Sequence, residues 1–197
     1  MLKKEARQRT GGLSAPSKMP GPAFNLPARA CLTGAKLVKI PGSVCHGCYA
    51  LKGRYRFPNV QKALYRRLDG LTAATWIDDM VTLITGHEWF RWHDSGDVQD
   101  LEHLNKIYDV CRLTPTKRHW MPTREAWIKD HLRSKPDNLV IRFSAPMVNQ
   151  RAPKSWPNSS EVVTAGATCP AAKQDNECRD CRACWDPAIK VIKYGKH

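Results

Sequence analysis

EWFRWHDSGDVQDLEHLNKIYDVCRLTPTKRHWMPT, residues 88–123, decides the reading of the fold. It opens on Glu88-Trp89-Phe90-Arg91-Trp92-His93, a short aromatic run that reads as a strand. From Asp100 to Leu113 the apolar residues Leu101, Leu104, Ile107, Tyr108 and Cys111 recur at helical spacing. Arg118-His119-Trp120-Met121-Pro122 then returns to a strand. Strands alternating with helices of about 10–15 residues pair in parallel, because the helix carries the chain back across the sheet.

The alternation continues outward. Arg124 to Arg133 reads as a helix, and Asn138-Leu139-Val140-Ile141-Arg142-Phe143 as a strand. Glu161-Val162-Val163-Thr164 and Val191-Ile192-Lys193-Tyr194 read as two more short strands. Upstream, Pro58 suits a helix start, with Val60, Leu64 and Leu68 at helical spacing. A further helix from about Ala73 carries Trp76, Met80, Leu83 and Ile84 on one face. Residues 1–30, with Gly11-Gly12 and Pro20-Gly21-Pro22, read as an irregular basic arm. Residues 31–197 read as one metal-binding domain. The expected class is α/β: a partial (β/α) barrel or open parallel sheet, with a helical N-terminal half and a Cys-rich, loop-rich C-terminal segment.

Composition narrows the function. The chain has 197 residues, 42% of them hydrophobic, with seven Trp, which excludes a disordered polypeptide. No apolar run approaches the roughly 20 residues of a spanning helix. The net charge of +14 is uneven: residues 1–67 hold fourteen Lys/Arg and one acid, while the remainder is nearly balanced. Such asymmetry points to an anionic partner, with DNA or RNA favoured. A membrane partner is not expected, since these cations do not line an amphipathic helix. The basic N-terminus lacks an apolar leader segment, so the expected location is cytoplasmic.

Eight cysteines supply the chemistry. Cys178-Arg179-Asp180-Cys181-Arg182-Ala183-Cys184 puts three thiols in seven residues, with Cys169-Pro170 nine residues upstream. Two-residue gaps aim sulfurs at one centre, and this run resembles a ferredoxin pattern more than the widely separated pairs of structural zinc. A second group joins Cys31 to Cys45-His46-Gly47-Cys48. With three thiolates a 4Fe–4S cluster keeps one iron open, whereas addition of His46 makes a zinc site. Alternatively, Cys45 and Cys48 combine with C-terminal cysteines in a single site. Cys111, on an apolar helix face, reads as a small core residue. Cations interleave both groups (Lys36, Lys39, Lys52, Arg54, Arg56, Arg179 and Arg182) and would offset the negative charge of thiolates.

His93-Asp94-Ser95-Gly96-Asp97 closes an aromatic strand and precedes a helix, the place where ligands sit in parallel β/α units. His93, Asp94 and Asp97 offer proton-transfer groups, while Gly96 permits close backbone approach. Arg124 and Ser144, at the next two strand ends, line the same mouth. Arg124 suits a carboxylate or phosphate. Tyr49 offers a stacking surface, and Ser95, Gly96 and Ser144 join it as candidate cofactor contacts.

Four blocks carry a resemblance: Lys18-Met19-Pro20-Gly21-Pro22-Ala23-Phe24-Asn25-Leu26-Pro27-Ala28, Cys45 through Tyr55, His93 through Asp97, and Cys169-Pro170 with Cys178, Cys181 and Cys184-Trp185. From about residue 18 onward the chain resembles the phage-encoded "gene product 88" domain proteins. That resemblance implies a phage or prophage origin, hence a bacterial host's cytoplasm, and iron–sulfur binding. The layout is also similar to radical S-adenosylmethionine enzymes, although Cys31 lies fourteen residues before Cys45, unlike their compact C-x3-C-x2-C motif.

The expected protein is therefore an iron–sulfur protein with one or two 4Fe–4S clusters on Cys31, Cys45, Cys48, Cys169, Cys178, Cys181 and Cys184. It acts as a redox or radical-type enzyme on a nucleic acid or nucleotide, with S-adenosylmethionine as a candidate cosubstrate. His93, Asp94, Asp97 and Arg124 are the candidate catalytic residues. The alternatives are a non-enzymatic nucleic-acid-binding protein with a structural metal, and a zinc-dependent, hydrolase-like protein.

Overall fold

Six strands lie in one sheet in chain order, each pairing in parallel with its predecessor in sequence. The computed structural model describes residues 2–196. The strands are β1 (Ala23–Phe24), β2 (Trp89–Trp92), β3 (Arg118–Thr123), β4 (Leu139–Ser144), β5 (Ser159–Val163) and β6 (Val191–Gly195). The helices are α1 (Lys3–Thr10), α2 (Leu32–Leu37), α3 (Pro58–Gly70), α4 (Trp76–Ile84) and α5 (Leu101–Leu113). The sheet is open, with β1 and β6 as its edges. Of the two expected architectures it is the open parallel sheet that forms.

Side chains alternate across each strand, so each sheet face draws on every second residue. From β2, Phe90 and Trp92 enter a core with Phe24, Trp76, Leu104, Ile107 and Met121, all fully buried under α4 and α5. Full burial of each such Phe or Leu stabilises the fold by about 1.5–3 kcal/mol before chain entropy is counted. The other β2 residues, Trp89 and Arg91, face the C-terminal segment. There Trp185 packs edge-on against Trp89 and Trp120, with ring centroids 5.6 and 5.2 Å apart, and its indole N–H donates to the Phe90 carbonyl at 2.9 Å. Helices thus cover one face, and part of the Cys-rich segment covers the other.

Within residues 2–30, expected as an irregular arm, regular elements form. Lys3–Thr10 forms α1, which buries Ala6 and Thr10 and ends on Gly11 in the left-handed conformation (φ 76°). Arg9 donates two hydrogen bonds, at 2.7 and 2.6 Å, to the buried Asp79 of α4. Ala23–Phe24 is the first strand, paired with Arg91 and Trp92. The expected helix after β3 is instead a run of 3-10 turns over Ala126–Ser134. Among the described residues, no helix is long and apolar enough to cross a membrane.

Candidate functional site

The chain leaving β1 carries Cys31, Cys45 and Cys48 across the C-terminal ends of the strands. Val44 N–H donates to the Pro146 carbonyl at 2.8 Å and Val148 N–H to the Gly42 carbonyl at 3.0 Å, which tie this segment to the loop after β4. Glu125, just beyond β3, accepts from Thr33 N–H at 3.0 Å and from the Thr33 hydroxyl at 2.9 Å, anchoring the start of α2 beside Cys31. A Cβ added to Gly34 would lie 3.5 Å from Cys31 Sγ and 3.8 Å from Cys45 Sγ, so both sulfurs border one point. Burial, then Asp97, then the Cys48 and Cys45 thiols push the Cys31 thiol up to about 12. Burial also raises Cys45, opposed by the facing Arg124 guanidinium.

The second group comes together between β5 and β6. Cys169 N–H donates to the Lys193 carbonyl at 3.0 Å, and Cys178 N–H to the Lys18 carbonyl at 2.9 Å. Burial raises the Cys178 thiol, and the neighbouring Cys169 and Cys181 add to that rise. Cys184 Sγ lies 3.1 Å from the Tyr194 hydroxyl. Burial pushes this thiol up to about 11, opposed by the Tyr194 hydrogen bond and by Arg91 and Arg142. All eight cysteines are free of disulfides, and Cys111 is fully buried in the core as expected.

Both groups offer thiols, the soft donors that iron–sulfur clusters and zinc take. Among the described residues, no three His, Cys, Asp or Glu side chains are disposed to grip a single metal ion. His46 turns Nδ1 toward the Val38 carbonyl at 3.0 Å. The match is thus one of donor type alone: Cys31, Cys45 and Cys48 lie at the strand ends, and Cys169, Cys178, Cys181 and Cys184 in the C-terminal segment.

The chain belongs to the Gene product 88 family. The family's model matches residues 1–187, nearly the whole chain. No curated protein and no solved structure matches it. Membership covers the mouth, both thiol groups and every strand but β6.

The strand-end residues have separate fates. Asp94 sits at the mouth: its carboxylate takes Arg91 at 2.9 Å and the Tyr55 hydroxyl at 2.6 Å, and its carbonyl takes the Tyr49 hydroxyl. Its N–H donates to Asn25 Oδ1 at 2.8 Å. Asp97 is buried and accepts from Val98 N–H, the Thr123 hydroxyl and Arg124 N–H at 2.7–2.8 Å, so it braces the loops after β2 and β3. Burial, only partly offset by those bonds, pushes its carboxyl up to about 6. The Arg124 guanidinium donates to the Ser144 and Ala145 carbonyls at 3.0 and 2.8 Å. Ser144 Oγ lies 3.2 Å from Ser160 Oγ. The Ser95 hydroxyl donates to the Leu26 carbonyl at 2.9 Å. Gly96 (φ 80°) packs so closely that a Cβ there would meet Leu26 Cβ at 2.5 Å.

His93 is not at the mouth. Its left-handed backbone (φ 58°) breaks the strand alternation, and its ring is buried 5.4 Å from that of His103 of α5, with neither ring nitrogen bonded. Sequence reasoning missed Arg91, Arg142, Glu125 and Tyr194. Two of these left a signal: Arg91 between Phe90 and Trp92, and Arg142 between Ile141 and Phe143, are cations alternating with core residues, which need partners on the opposite sheet face.

Proposed function

We propose that this protein is an iron–sulfur enzyme of redox or radical type acting on an anionic substrate of the nucleotide or nucleic-acid class. The supporting observation is that the Cys31 and Cys45 sulfurs, fourteen residues apart in sequence, border one point at the C-terminal edge of a parallel sheet, where α/β proteins hold ligands. The Cys48 thiol is a further neighbour of Cys31. Cys169, Cys178, Cys181 and Cys184 would hold a second cluster. A cluster held by Cys31, Cys45 and Cys48 would supply one-electron chemistry, with S-adenosylmethionine as the candidate cosubstrate.

The chain's own residues shape what approaches. Arg124, held by two carbonyls, presents positive charge beside Cys45. Arg91 lies between the two groups: it ion-pairs with Asp94, stacks over the Trp120 ring at 4.5 Å and lies near Cys184. Asp94, bound by Arg91 and Tyr55, is held rigidly and fixes the mouth's polar rim.

The test is anaerobic purification with iron, sulfide and zinc analysis. The expected protein is brown, absorbs near 400 nm, and loses iron in both Cys45→Ser and Cys181→Ser. A colourless protein carrying stoichiometric zinc overturns the reading.

A further inference from the structure

Beside the mouth lies a cleft of about 380 Å³, within the size range of small-ligand sites. It is bounded by residues 14–16, the 3-10 turn Gly53–Arg56, α3, and the strand-end residues Asn25 and Asp94. One wall is apolar, made by Pro16, Val60 and Leu64. The other carries Arg54, which is exposed, and Arg67, which is only 6% exposed.

Arg67 is anomalous. Its Nε donates to the Gly12 carbonyl at 2.8 Å, but no acceptor among the described residues takes its two terminal nitrogens, and no carboxylate lies within ion-pairing distance. Its terminal nitrogens are not among the enclosed unpartnered atoms, so the charged end opens on the cleft rather than on a protein counter-charge. Burial and the neighbouring Arg66 push its pKa down to about 10, so it still carries its proton at neutral pH. The cleft's one carboxylate, Asp94, is already matched by Arg91 and Tyr55. The cleft is therefore electropositive, with its deepest cation unpartnered.

We propose that this cleft binds the phosphate of a mononucleotide, with Arg67 and Arg54 as the anion clamp and the apolar wall against the nucleoside. Guanidinium forks match phosphate oxygens, and the largely buried stem of Arg67 fixes where its fork meets the cleft. Because Asp94 and Tyr55 belong both to the cleft and to the mouth rim, a ligand seated here lies next to the Cys48–Tyr49 segment. The proposal deepens the anionic-substrate reading above and rests on it, yet its test needs no metal.

The experiment is calorimetric titration of the full-length protein with adenosine 5′-monophosphate and with adenosine, at matched ionic strength. The nucleotide is expected to bind and adenosine to give no measurable heat. Arg54→Ala, a surface change that leaves the core intact, is expected to weaken nucleotide binding about tenfold or more, the loss of one charged hydrogen-bonding arm. Arg67→Met is expected to abolish it. The site is refuted if the nucleotide does not bind, if adenosine binds equally well, or if Arg54→Ala leaves the affinity unchanged. Iron content does not enter the titration, so its result is separable from that of the metal analysis.

Discussion

Arg142 stands in β4 with its side chain fully buried. Its guanidinium donates to four carbonyls, those of Cys184, Ala183, Asp186 and Ile189, at 2.7–3.0 Å. One cation thereby stitches the Cys184 loop to the sheet without any carboxylate. Burial lowers its pKa, since carbonyl dipoles compensate less than a counter-ion. Replacement by Met removes the donors and leaves carbonyls unsatisfied, at about 1–3 kcal/mol for each one that water cannot reach. Arg142→Met is expected to lower the urea midpoint by more than any exposed Arg→Met change and to speed alkylation of Cys184 by iodoacetamide. An unchanged alkylation rate would show that the loop is held by something else.

At the scale of elements, the segment bearing Cys31 has little intrinsic stability. α2 has six residues, no side-chain cap on Cys31 and no buried residue of its own. Glu125 acts as a cap borrowed from 92 residues away, accepting from the Thr33 N–H and hydroxyl. Glu125→Ala is expected to cost about 1–2 kcal/mol, the range of a lost cap. It should also remove hydrogen-exchange protection at Thr33 while leaving α5 protected, which peptide-level exchange would read.

Element boundaries were uneven in their legibility. β2, α5, β3 and β4 announced themselves because their apolar residues repeat with period 2 or 3.6 over enough positions. β1 is two residues between prolines, too short to show a period, and is recruited by pairing with β2. α1 shows no apolar stripe because only Ala6 and Thr10 face inward, and its docking relies on the Arg9–Asp79 pair. The run after β3 has a helical pattern, but it forms 3-10 turns instead.

For the whole molecule, buried titratable groups set the acid limit of stability. Burial drives His103 down to about 4 and His119 down to about 3, and it lowers His93 well below 6.5. Below pH 6.5 the unfolded chain protonates these rings while the folded one does not, so stability falls with pH by up to about 1.4 kcal/mol per unit for each ring. Asp97 works in the opposite sense. With its carboxyl raised to about 6 from 3.8, the folded state holds a proton the unfolded chain has lost, and this favours the fold as pH falls through about 6. Three rings outweigh one carboxyl, so the melting temperature is expected to drop between pH 6.5 and 4. His119→Gln, which keeps a partner for the Thr114 hydroxyl, should make that drop shallower. A flat profile in the parent protein would contradict the burial of these rings.

What the sequence determined alone is what local order encodes: alternating strands and helices that require a parallel sheet, thiols in tight spacing, and a basic first third. The Gene product 88 family model spans residues 1–187, which include the thiols and the basic first third. Tertiary structure alone decided which side chains meet. A left-handed residue at His93 turned its ring away from the mouth, and Asp97 became a brace rather than a free acid. Arg67 was left largely buried without a counter-charge in a cleft built from segments far apart along the chain. Those outcomes depend on contacts between residues tens of positions apart, which periodicity does not record because it registers only neighbours along the chain.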